Sequence, residues 1–112
     1  MSVSKDALLR KLGSIRKAIE NDIFEEAARE WIEKDFKPLA KALVHVDSGQ
    51  LRDSIDGEAN GNQARVFADT EYAQIEEEGS STHTAHPYMR PAFDRTRRKL
   101  SEYTRKALRK RL

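Results

Sequence analysis

Cysteine is absent from the 112 residues. That excludes a disulfide framework and a thiolate metal site, and nothing marks an oxidising compartment. The five glycines are dispersed, at Gly13, Gly49, Gly57, Gly61 and Gly79, so no glycine-rich phosphate loop can be built. No segment approaches the roughly 18 apolar residues of a membrane span, and Met1 to Arg10 carries two bases and one acid without an apolar stretch of signal-peptide length. The expectation is a soluble protein made in the cytoplasm, with no membrane partner and no cofactor.

What remains is a chain of one-domain length, 1–112, with 38% hydrophobic and 36% charged residues. That balance is too polar for a large self-sufficient core and too apolar for disorder, so partners are expected to cover part of the apolar surface. Net charge is +2, but Arg90 to Leu112 holds ten bases against Asp94 and Glu102, while the rest has eleven bases and seventeen acids. The split points to an anionic partner for the tail, or to pairing of the two parts within one chain or between copies.

Leu8, Leu12, Ile15, Ile19, Ile23, Ala27 and Trp31 recur every three or four positions, the stripe of an amphipathic helix. One helix is predicted over 4–36, capped by Ser4 and ended or kinked at Pro38, with another turn or two over 39–44. At about 50 Å it exceeds the width of a globule of this size, so it must project or pack on a neighbour. Asn60-Gly61 predicts a type I′ hairpin over 51–68, pairing Ile55 with Val66 and Asp56 with Arg65. A short helix at 71–78 stops at Gly79, and a polar loop follows. Pro87 and Pro91 then lead into a basic helix, 87–112, with a stripe of Phe93, Thr96, Leu100, Tyr103 and Ala107. The predicted class is α+β: a long N-terminal helix, a small antiparallel sheet built on a hairpin, and a C-terminal basic helix packed on that sheet.

Chemistry is hard to place on this sequence. His83 and His86 follow Glu76, Glu77 and Glu78, but without the i, i+4 spacing of a helical zinc motif, so solvated loop histidines are the preferred reading. Ser48, Ser54, Ser80 and Ser81 lack a nucleophile-elbow or triad context, and no enzyme is expected. The terminal helix could bind DNA backbones non-specifically, though no aromatic cluster is placed to stack on bases. Trp31 and Phe36 fit either an interface hot spot or ordinary core.

Three segments, in order, carry a family resemblance. Asp47-Ser48-Gly49-Gln50-Leu51-Arg52-Asp53-Ser54-Ile55, then Tyr72-Ala73 with Glu76 to Gly79, then His86-Pro87-Tyr88-Met89-Arg90-Pro91-Ala92 resemble the signature segments of the small head-tail joining and tail-completion proteins of long-tailed bacteriophages and prophages. Tyr88 and Met89 stand where that family usually has Phe and Leu, and an extra Glu precedes Gly79, swaps that keep the apolar character. Gly49, Leu51, Ser54, Ile55, Tyr72, Ala73, Gly79, Pro87, Tyr88, Arg90 and Pro91 are thereby expected as scaffold. The resemblance implies a structural virion protein at the neck, one copy in a homo-oligomeric, commonly hexameric, ring that contacts other neck and tail proteins and passes DNA through its lumen. On that expectation Trp31, Phe36, Glu76, Glu77, Glu78, Arg97, Arg98 and Arg105 face neighbours, the acids of one subunit meeting the basic helix of the next.

Overall fold

The computed structural model describes residues 4–44, 49–68, 73–82 and 84–112. The turn expected at 46–48, Tyr72 and His83 lie outside the described residues. The elements are α1 (Lys5–Trp31), a π-helical turn (Ile32–Phe36), α2 (Lys37–Leu43), α3 (Gly49–Ser54), β1 (Asp56–Asn60), β2 (Gln63–Phe67), α4 (Ala73–Glu78) and α5 (Met89–Lys110). The predicted α+β class holds: a long N-terminal helix, a two-stranded antiparallel sheet and a C-terminal helix packing over them.

Ser4 caps α1, its hydroxyl accepting the Ala7 N–H at 3.1 Å. Helical structure does not end at Pro38; it runs on to Leu43. The π turn makes this possible, because Lys37 donates its N–H five residues back, to the Ile32 carbonyl. The widened turn relieves the carbonyl against which the Pro38 ring would press in a regular helix. Ile32, Phe36, Ala40 and Val44 are all buried at four-residue intervals. Four residues of a regular helix overshoot a full turn by about 40°, and the wide turn absorbs that drift, keeping the row on one face.

That row, with Trp31, Leu51, Ile55, Tyr88 and Ala92, forms the core. α5 lies along α1 through Ala92, Thr96 and Ala107, its buried residues. Phe93, expected within its stripe, sits at the edge, 42% exposed, with its ring edge-on to Trp31 at 5.8 Å. Val66 of the sheet and Met89 of α5 pack against the same core.

The hairpin differs from its prediction in two ways. Residues 51–54, expected as strand, belong to the helix Gly49–Ser54: Leu51 and Ile55, four apart, share a face in either geometry, and both are buried. The register also moves by two, with Glu58 opposite Arg65 and Gly57 opposite Val66, so that Gly61 and Asn62 form the loop. Gly61 has φ +57° and no other residue here has positive φ, which fits the type II′ turn with glycine first rather than type I′. A shift of two leaves every side chain on its original face, and an opposite-charge pair survives: Arg65 meets Glu58 at 2.6 Å. α1 holds the loop, as Glu25 accepts the Gly61 N–H at 3.0 Å.

Candidate functional site

Two surfaces and one buttress account for the charged and apolar residues that the core leaves over. The first surface is the N-terminal part of α1. α5 ends alongside Glu26, where Lys110 and Arg111 pair with that carboxylate at 3.1 and 3.0 Å. Before that point α1 projects as an arm, and the molecule measures 71 × 27 × 19 Å. Leu8, Leu9, Leu12, Ile15 and Ile19 are 47–54% exposed along it. For a row of large aliphatic side chains on one helix face, that is an uncovered seam.

The second surface is the outward side of α5. Lys106 pairs with Glu30 at 2.7 Å, so three of the ten bases of the tail are paired with two carboxylates of α1 of the same chain, and Lys99 meets Glu102 at 3.4 Å. The hydrogen bonds from Arg111 and Lys110 hold the Glu26 carboxyl below the ordinary carboxylate range, and those from Lys106 and Lys34 do the same for Glu30. Part of the charge split is therefore answered inside one chain. Arg90, Arg95, Arg97, Arg98, Arg105 and Arg109 make no ion pair among the described residues. Arg98, Arg105 and Arg109, at spacings of seven and four, share the helix face turned away from Thr96. Arg97 divides two shallow grooves, one floored by Val66, Met89 and Phe93, the other by Phe24 and Leu100 with Arg105 on its rim.

The buttress comes from the acidic triplet. Glu77 accepts the backbone N–H groups of Tyr88 and Met89 through Oε1, at 3.1 and 2.8 Å, and that of Arg90 through Oε2 at 3.2 Å. It thus caps the N-terminus of α5 across an eleven-residue separation, where Pro91 fits the first turn because no N–H is needed there. Glu76 is buried, and its carbonyl accepts the His86 N–H at 2.7 Å. Of the three acids expected to meet a neighbour, two are built into this chain's own loop, and Glu78 alone is exposed, beside Gln74. Replacing Glu77 with Gln keeps the shape but removes the charge from the cap. The expected cost is about 1 to 2 kcal/mol in a thermal or denaturant melt, and an unchanged midpoint would refute the capping role.

Trp31 and Phe36 are core, not interface. They are 3% and 0% exposed, their rings tilted by 48° with centroids 5.5 Å apart, and α5 covers them; the indole N–H donates to Thr96 Oγ1 at 3.0 Å. Several of the residues expected as scaffold lie in or beside the core. Leu51, Ile55 and Tyr88 share the core, the Ser54 hydroxyl donates to the Leu51 carbonyl at 2.7 Å, and the Tyr88 hydroxyl donates to that of Ala73 at 3.3 Å. Gly49 opens α3, Gly79 closes α4 with φ +79°, and Pro87 is exposed. Burial, with the Glu77 and Glu76 carboxylates nearby, pushes the Tyr88 phenol to about 12. A hydrogen bond to Asp35 does the same for Tyr103, also to about 12.

Among the described residues no three His, Asp or Glu side chains gather to hold a metal ion, and no helix is long and apolar enough to cross a membrane. No family model, curated protein or solved structure matches the chain.

Proposed function

We propose that the chain is a structural virion protein of a tailed phage or prophage, joining or completing the tail at the neck as one copy in a homo-oligomeric ring. One observation carries this reading: the three segments behind the family resemblance pack on one another. Leu51 and Ile55 from the first share one buried core with Tyr88 from the third, while Ala73 and Glu77 from the second bind Tyr88, Met89 and Arg90. The arm of α1 and the outward side of α5 leave exposed aliphatic side chains and arginines on the described surface, chemistry suited to assembly.

The test is loss of the protein from an induced lysate of its source. Deleting the gene should give filled heads and separate tails by electron microscopy, restored by the intact chain. Arg97, Arg98 and Arg105 changed together to Glu should restore poorly. Normal tailed particles without the protein would end the proposal.

The arginines without acidic partners favour one competing reading, a protein that binds DNA non-specifically on its own. It requires the isolated chain to bind duplex DNA with a steep salt dependence, the slope falling by about one for each arginine removed from contact. The joining role requires weak binding before assembly.

A further inference from the structure

We propose that the arm of α1, Lys5 to Asp22, pairs antiparallel with the arm of a second copy of this chain.

The seam has a coiled-coil period. Lys5, Leu8, Leu12, Ile15, Ile19 and Asp22 follow one another at steps of three, four, three, four and three, the alternation of a and d positions over two and a half heptads. Past Ile19 the stripe changes step: Ile23 and Ala27, four apart, are buried within the chain's own body. Asp22 therefore marks where the outward seam leaves the inward one.

Charge chooses the orientation. With two arms antiparallel about a two-fold axis between Gly13 and Ser14, each layer pairs positions that add to 27. Leu8 meets Ile19 of the other copy, Leu12 meets Ile15, and Lys5 meets Asp22 at both ends. An apolar seam closed at each end by opposite charges results. Neither Lys5 nor Asp22 has an ion-pair partner among the described residues of its own chain. Flanking the seam, Leu9 falls beside Arg16 of the other copy, whose aliphatic stem can cover it. A parallel pair would instead set Lys5 on Lys5 and Asp22 on Asp22, and bring Lys11 against Arg16.

Charge also argues against other sites on this chain. The grooves beside α5 are rimmed by Arg90, Arg97 and Arg105 against the single acid Asp94, while the arm itself carries Lys5, Arg10, Lys11, Arg16 and Lys17 against Asp6, Glu20 and Asp22. Like signs would meet if the arm of one copy lay in the groove of another. An overlap of about 27 Å between two single helices is a small interface, so the pair should form in the micromolar range.

Sedimentation of the purified full chain at about 100 μM, well above such a dissociation constant, should give a dimer, and a monomer there would overturn the proposal. Because the chain has no cysteine, orientation can be read directly. L12C mixed with I15C should oxidise mainly to the mixed disulfide, whereas a dominant L12C homodisulfide would mean parallel pairing and overturn it. K5D and D22K singly should each weaken the dimer by about tenfold, since two symmetry-related pairs become like-charged, and K5D/D22K together should recover to within about threefold of the native chain. A double variant as weak as either single would show that these layers do not face each other. The arm lies outside the core, so the fluorescence of Trp31 checks that every variant keeps its folded body.

Discussion

Phe36→Ala should lower the stability of this protein by about 3 to 5 kcal/mol, the cost of emptying a fully buried aromatic site. Phe36 is 0% exposed, packs on Trp31 at 5.5 Å and lies in the π turn, which fixes it between α1 and α2. Neighbours cannot easily collapse into the space, since Ile32 and Ala40 are held by the same helix and Tyr88 by its bond to the Ala73 carbonyl. Set against a total of about 5 to 15 kcal/mol for a domain, the change removes a large share. Trp31, the sole tryptophan, reports it directly: a urea titration followed by its emission should show a much earlier midpoint. A loss below about 1.5 kcal/mol would mean that the core is less tightly packed around this ring than the structure has it.

Gly57→Ala should be costly for the opposite reason, too much matter rather than too little. A Cβ there would stand 2.9 Å from Ile32 Cγ2, 3.1 Å from Ile32 Cδ1 and 3.0 Å from the Arg65 carbonyl oxygen. Ile32 is 2% exposed and cannot swing away, and the carbonyl belongs to the paired strand. Overpacking of this kind costs about 1 to 3 kcal/mol. Gly13→Ala serves as the control, since nothing lies within 4 Å of its added Cβ and alanine favours a helix. If the Gly57 variant melted as high as that control, the close seating of the hairpin on the π turn would be wrong.

The sequence made some of this fold legible and concealed the rest for definable reasons. The α1 stripe, the hairpin and the terminal helix follow from periodicity and from a glycine that can take positive φ. Hairpin register was harder, because Asn60-Gly61 and Gly61-Asn62 both centre a two-residue loop on the same glycine and place the same side chains on the same faces. Leu51 and Ile55 could not distinguish helix from strand, since a four-residue step suits both. Pro38 signalled a break, but a break can be met by widening the preceding turn, and one residue type does not reveal which remedy the chain takes. Among candidate site residues, Glu77 shows the limit most clearly. As one of three consecutive acids it looked like surface charge, and only the loop that returns Tyr88 to it makes it a cap. Trp31 fitted interface and core equally until α5 was seen to cover it.

A π turn is what remains when one residue is slipped into a regular helix, so it also acts as a rotation set between two lengths of rod. Deleting Glu33 or Lys34, both exposed, would restore ordinary winding and turn α1 by about 100° around the axis relative to α2, against the packing that α5 makes along α1. The compass bearing of Ile19 and the residues before it, relative to α2, is thus set about 20 Å away, in five residues that never touch them.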